Sequence, residues 1–154
     1  MNALFWAFIL SLSPFGELRL SIPVGLATGG NVFIVFLFAV IGNILVIPLA
    51  LFFLDFIHEH LYKISIYRRL FNHYLNKVRK KIEPKLGEWK YLVLLLFIAI
   101  PLPGTGAYSS SLAAWFFEFD RKKSFLVISL GVLIAGFIVT VISLGLLNGI
   151  NYLF

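Results

Sequence analysis

Pro101-Leu102-Pro103-Gly104-Thr105-Gly106 stands in the middle of the apolar stretch from Tyr91 to Phe119, and its reading decides the fold. A second break, Ser13-Pro14-Phe15-Gly16-Glu17-Leu18-Arg19, interrupts the apolar N-terminal stretch. Each is followed by an unbroken uncharged run of 24 residues, Asn31 to Leu54 and Ser124 to Leu147. At ~1.5 Å per residue such a run is about 36 Å long, enough to cross a bilayer with some tilt. A helix that breaks at membrane depth frees N–H and C=O groups that lipid cannot satisfy. Such breaks survive only when buried in protein or lining a water-filled cavity. A broken unit followed by a spanning unit, occurring twice, is the layout of a two-repeat transporter.

Composition sets the solvent. With 60% hydrophobic residues, 13% charged residues and a mean hydropathy of +0.97, an ordinary soluble domain is excluded. There is no cysteine, so disulfides and thiolate metal sites are absent. Met1 to Leu12 is apolar with no Lys or Arg before it, which predicts a retained segment rather than a cleaved signal peptide. The net charge of +6 is not spread like a nucleic-acid footprint. Nine of the thirteen basic residues lie between Lys63 and Lys90, and Arg121, Lys122 and Lys123 add three more. Basic clusters between apolar spans report membrane topology.

That distribution bears on the second break. If Tyr91 to Phe119 crossed as one kinked helix, the basic residues would split nine against three across the membrane. If the segment dives in, turns at Pro101–Gly106 and returns, twelve lie on one side, as the positive-inside rule favours. Length agrees, since Tyr91 to Ile100 gives about 15 Å of helix, half the hydrocarbon thickness. The N-terminal unit reads the same way: Asn2 to Leu12, a break at Ser13 to Arg19, and a return from Leu20 to Thr28 closed by Gly29-Gly30, good helix C-caps. Arg19 is its only basic residue, so charge does not separate a hairpin from a full crossing there.

The expected fold is therefore an all-α integral membrane protein, an inverted repeat of re-entrant hairpin plus transmembrane helix. Its parts are a hairpin over 1–30, a span over 31–54, a basic cytoplasmic segment over 55–90, a hairpin over 91–119 and a span over 124–148. Both termini would lie outside, in a multi-pass protein of the cell membrane. Within the basic segment Leu61, Ile64, Tyr67, Phe71, Tyr74, Val78 and Ile82 recur at spacings of three or four. That period describes an amphipathic helix, either lying on anionic lipid or packed on the protein as an extension of the first span. Pro84 and Gly87 end it.

Glu17 and Arg19 are the sharpest site candidates, because a charge at bilayer depth costs about 2.5–3.5 kcal/mol and so faces a cavity or a partner. Two residues apart on a helix, they do not face each other. Arg19 offers a fork of donors for a phosphate or carboxylate. Glu17 is placed to orient such a group or to carry a coupling proton, since burial disfavours its charged form. The alternative is that the two only anchor the turn. Ser13 with Pro14 behind it, and Thr105, read as N-caps whose helices point partial positive charge at the midplane. Pro103, Gly104, Gly106 and Tyr108 complete the expected substrate site, and Ser109-Ser110-Ser111 add small donors or a close-packing face. Asn43 and Pro48 are placed to kink the first span or bond to a hairpin, and Thr140 and Ser143 to bond their own helix. His58-Glu59-His60, at a span end without further ligands, reads as interfacial polarity, and no metal is expected. No nucleophile–base set, P-loop or dinucleotide fingerprint is present, so neither an enzyme nor a cofactor is expected.

Pro14-Phe15-Gly16-Glu17-Leu18-Arg19 with Ile22-Pro23, and Pro101 to Tyr108 with Arg121-Lys122-Lys123 after it, resemble the small multidrug export protein family. That family looks like a compact relative of the DedA (SNARE-associated, VTT-domain) membrane proteins. The resemblance implies two facing re-entrant hairpins and, for the DedA group, movement of lipid phosphates including polyprenyl-phosphate carriers. DedA proteins carry an arginine in or just after the second motif, where this chain has Gly106, Ala107 and Tyr108. Arg19 and the helix termini would then hold a phosphate alone, or with a second subunit. The functional expectation is a transporter or lipid-phosphate translocase. A small multidrug exporter and a non-transporting scaffold stand as alternatives. Membrane lipids and an anionic lipid substrate are the expected partners, nucleic acid is not, and Gly131/Ala135 at small-xxx-small spacing make a homodimer conceivable.

Overall fold

Proline and glycine mark both interrupted apolar stretches, while Pro23 and Pro48 are carried inside helices. A computed structural model describes residues 3–13, 16–73, 76, 87–101 and 105–153. Its helices are α1 (Ala3–Leu12), α2 (Glu17–Ala27), α3 (Val32–Leu61), α4 (65–73), α5 (Lys90–Ala99), α6 (Ala107–Phe116) and α7 (Arg121–Leu153), with a 3-10 turn at Gly87–Trp89. Among the described residues none lies in a strand.

Both spanning helices exceed the uncharged runs that predicted them. α3 starts where Asn31 caps it, its Oδ1 accepting from the N–H groups of Phe33 and Ile34 at 3.0 and 3.4 Å. It continues past Leu54 through Asp55 and His58 to Leu61, because nothing in 55–61 breaks a helix. The change at residue 55 is one of solvent, not of secondary structure. Leu61 therefore belongs to α3 and Ile64 to the following bend, so α4 begins later than the predicted amphipathic segment. Tyr74, Val78 and Ile82 lie outside the described residues. α7 begins three residues before Ser124, since Asp120 Oδ1 accepts from Lys123 N–H at 2.8 Å and caps it. At 30 and 33 residues, α3 and α7 reach about 45 Å or more, long and apolar enough to cross a bilayer.

The four short helices fold back in pairs. α1 and α2 pack side by side, with Ala7 against Gly25 and the Leu10 carbonyl against Gly16. Gly29, at φ 84°, ends α2 in the left-handed conformation, and Gly30 N–H bonds Gly25 O at 3.0 Å. α5 and α6 are more splayed, yet their outer ends meet. The Lys90 ammonium lies 5.2 Å from the Phe119 ring, and the Tyr91 and Phe119 rings are 5.6 Å apart. The first arm of each pair packs on the long helix that follows it, α1 on α3 and α5 on α7. The return arms cross over, α2 to α7 and α6 to α3, while α3 and α7 touch directly. Neither half is therefore complete without the other.

Between membrane helices the gain comes from close packing rather than from expulsion of water. Ile22, Val35, Ile47, Ile98, Ile128 and Val132 fill the interior, while Phe33, Leu49, Phe52, Leu126 and Phe137 stand exposed around α3 and α7. Gly131 lets α5 seat on α7: a Cβ there would lie 2.8 Å from Ile98 Cβ. Ala135 is buried on the same face, so that small-residue stripe is used within the chain. Gly131→Val is expected to cost about 1–3 kcal/mol of stability, the usual penalty of overpacking. Thermal unfolding in detergent checks it, with Gly145→Val, where a Cβ meets open space, as the matched control.

Candidate functional site

The two breaks free helix-end groups, and the structure pairs them largely across the molecule. At the end of α1, Leu10 O accepts locally from Ser13 N–H at 3.1 Å. Ser11 O accepts from Asn43 Nδ2 of α3 at 3.2 Å, and Leu12 O from the Tyr108 hydroxyl of α6 at 2.6 Å. At the end of α5, Ile100 O accepts from Thr105 Oγ1 at 2.8 Å, and that oxygen accepts from Arg19 Nη2 at 2.7 Å. The N-terminus of α6 is met by Glu17, whose Oε1 accepts from Tyr108 N–H at 3.4 Å. Tyr108, Glu17 and Arg19 thus link the two pairs, while Ser13, Thr105 and Asn43 of α3 complete the rest.

Glu17 reaches α6 because of two local features. Its backbone sits at φ 44°, a left-handed conformation that costs a non-glycine residue about 1–3 kcal/mol and is characteristic of functional sites. Gly106 has no side chain, and a Cβ there would collide with the Glu17 carboxylate. The carboxylate is 8% exposed, held where α6 presents its partial positive end. Arg19, on the next turn-face of α2, goes instead to Thr105. As their spacing predicted, Glu17 and Arg19 act on different partners.

Two predicted caps are corrected. Ser13 is not the N-cap of α2; Gly16 is, and the Ser13 carbonyl accepts from Gly16 N–H at 3.3 Å and Glu17 N–H at 3.1 Å. Thr105 is not the N-cap of α6; Gly106 is. The Thr105 hydroxyl turns back to the α5 carbonyl, and a full carboxylate serves the α6 terminus better than a hydroxyl would. Pro103 and Gly104 lie outside the described residues. Asn43 is buried, 1% exposed, and bonds to the hairpin. Thr140 and Ser143 bond to Gly136 O and Val139 O of their own helix. Ser109 Oγ donates to Gly106 O at 3.1 Å, whereas Ser110 and Ser111 are buried packing groups with no hydrogen-bond partner for Oγ among the described residues.

Space around this cluster is unequal. Between the breaks, Glu17, Arg19, Asn43, Thr105 and Gly106 enclose only about 10 Å³. That admits about one water. Beside it an apolar groove of about 400 Å³ runs between α2 and α7, from Arg19 and Pro101 to Leu146 and Leu147. A larger one, about 780 Å³, runs between α3 and α6, bounded by Leu49, Phe52, Phe53, Tyr108 and Leu112.

Sequence reasoning missed a second polar cluster, at the ends of the long helices. Arg121 grips Asp55 through two bonds of 2.7 and 3.0 Å, and Trp115 Nε1 donates to Asp55 at 2.9 Å. They border a cavity of about 340 Å³ with His58, Phe71 and Phe119. A charge closing each span was the available signal, but nothing local pairs residues 66 apart. His58 Nδ1 is 3.3 Å from the Tyr67 hydroxyl and His60 Nδ1 2.8 Å from Phe56 O. Among the described residues no group of three or more His, Asp or Glu side chains could hold a metal.

All-helical architecture, two apolar helices of spanning length and a lipid-like exterior fit an α-helical membrane protein. Residues 17–138 match the family described as "Putative small multi-drug export protein", and the chain belongs to that family. No curated protein and no solved structure matches it. The matched span begins at Glu17 and takes in Arg19, Asn43, Thr105, Gly106 and Tyr108.

The carboxylate–glycine contact is directly testable. Gly106→Ala is expected to destabilise strongly, because a buried carboxylate loses its place. Glu17→Ala should remove most of that extra cost, giving a coupling of about 1–3 kcal/mol in a double-mutant cycle. Additive losses in thermal melts of the purified protein would mean that the two do not share one space.

Proposed function

We propose that this protein moves an amphiphilic anion, a lipid phosphate, across the cell membrane through a site between two re-entrant hairpins. The carrying observation is Arg19, a guanidinium lining an apolar groove of about 400 Å³ and bonded among described residues only to Thr105. A guanidinium has five N–H donors, so it can take a phosphate oxygen pair while a hydrocarbon chain lies along Pro23, Val139 and Leu146. The DedA resemblance of the two motifs points to the same substrate class.

The closed interior suggests how movement is gated. Glu17 already occupies the α6 N-terminus, the place that would attract an incoming anion. A phosphate drawn to Arg19 competes for those N–H groups, and a proton on Glu17 weakens its hold there. Substrate and proton would thus act on one carboxylate. The exchanged return arms, α2 on α7 and α6 on α3, support an inverted repeat that rocks about the α3–α7 contact, with Lys63–Lys90 cytoplasmic.

A second reading, export of apolar drugs, has its own support in the family description and in the groove of about 780 Å³ between α3 and α6.

Flux of a labelled lipid phosphate in proteoliposomes tests the first. Arg19→Ala should lower it at least about tenfold, the loss expected when a charge-assisted bond of roughly 1.5–3 kcal/mol is removed. Arg19→Lys should restore part of it. Undiminished flux in Arg19→Ala sinks the anion site. Drug flux without lipid flux transfers the case to the exporter, and no flux of either leaves a scaffold. For topology, cysteines placed at Lys63 and Lys122 in this cysteine-free chain are expected to label from the same side of the membrane. Opposite-side labelling would mean that 91–119 crosses.

A further inference from the structure

Helix α4 has more apolar surface than the other described residues cover. At about 100° per residue, Ile66, Leu70, Tyr67 and Phe71 fill one continuous arc of it, and Ser65, Arg68, Arg69, Asn72 and His73 fill the rest. Half of the apolar arc is docked. The Phe71 ring lies 4.7 Å from His58 and 6.0 Å from Trp115, and Tyr67 meets His58. The other half is bare: Ile66 is 72% exposed and Leu70 is 65% exposed. A helix held against the protein along one edge, with adjoining large aliphatics left outward, presents an apolar edge that favours a covering surface over water.

Its depth and charge identify what covers it. The outward apolar row of α3 ends at Phe56, 52% exposed, and α3 ends five residues later at Leu61. That is about 8 Å of helix, and a headgroup layer is roughly 5–8 Å thick beyond the hydrocarbon. α4 begins after a three-residue bend and so lies at headgroup level. Arg69 stands on the polar side of the bare Ile66–Leu70 edge, within the segment that holds nine of the thirteen basic residues. Long basic side chains beside an apolar stripe match anionic headgroups above acyl chains.

We infer that α4 is an anionic-lipid docking helix, with Ile66 and Leu70 inserted into the bilayer surface and Arg69, beside that edge, on lipid phosphate. Because Phe71 lines the cavity of about 340 Å³ bounded by Asp55, Trp115 and Arg121, lipid held on the outer edge of α4 also keeps that cavity walled. This holds whether or not Arg19 carries a substrate.

The absence of native cysteine makes the test clean. An environment-sensitive fluorophore is placed at Ile66→Cys, and separately at Ser65→Cys on the polar arc, in the full chain reconstituted one copy per nanodisc. In discs rich in anionic lipid, the Ile66 probe should be blue-shifted and quenched by lipid-borne quenchers. The Ser65 probe should stay open to aqueous quenchers. Arg69→Gln should shift the bound-to-lifted ratio by about fivefold, the effect of one basic residue near an anionic surface, while Arg68→Gln, on the opposite side of the helix, should shift it less. High salt on the unsubstituted helix should act in the same direction, a second measurement if the Arg69 variant misfolds. An Ile66 probe equally open to water in zwitterionic and anionic discs overturns the inference. So does one shielded only when two copies share a disc, which would make a second chain the cover.

Discussion

A helix that breaks within an apolar stretch frees carbonyl and amide groups, and wherever lipid surrounds them they must be bonded by protein, at several kcal/mol for each one left bare. In this chain Asn43 and Tyr108 meet the carbonyls of the first break, while at the second Thr105, held by Arg19, meets the Ile100 carbonyl and Glu17 meets the α6 terminus. Everything else follows from that reciprocity. The return arms must reach across to the opposite long helix, α3 and α7 must touch, and the residues at the crossing must be small. Gly106 makes room for a carboxylate and Gly131 makes room for Ile98.

The same constraint ties structure to function. A buried carboxylate on a helix N-terminus and a guanidinium on a hydroxyl stabilise the closed arrangement. Both are bonds that another anion can compete for, unlike an interlocked apolar core. Glu17 is also held in a left-handed backbone conformation, so part of the local free energy is stored as strain. Among the described residues little space is left between these groups, and larger grooves lie beside them along α2/α7 and α3/α6. The first break brings both charges and the second brings hydroxyl, glycine and helix terminus, so the centre is asymmetric although the helix pairings are repeated.

Much was legible because it depends on short-range rules. Hydropathy located α3 and α7, Pro and Gly located the breaks, and the cost of charge at depth singled out Glu17 and Arg19. The missed parts share one cause, competition among partners distant in sequence. Thr105 looks like a cap for the helix after it, yet its hydroxyl serves the helix before it, since Glu17 from the other half takes the cap. Asp55 and Arg121 each mark the end of a span, and no local pattern announces that they pair. α3 overran its predicted end because hydropathy reports solvent, while helix continuation depends on the absence of breakers.

By itself the sequence determined the class of protein, the place of its two long apolar helices, where two of its apolar stretches break and which charges lie near the breaks. Those are properties of composition, spacing and the membrane's refusal to solvate polar groups. Only the tertiary structure decided which partner satisfies each freed group, that the centre is closed by the protein's own carboxylate, and that α4 docks by one edge and leaves the other bare. Those outcomes depend on distances between segments far apart in the chain, which are fixed only when α2 and α6 cross to the opposite long helices.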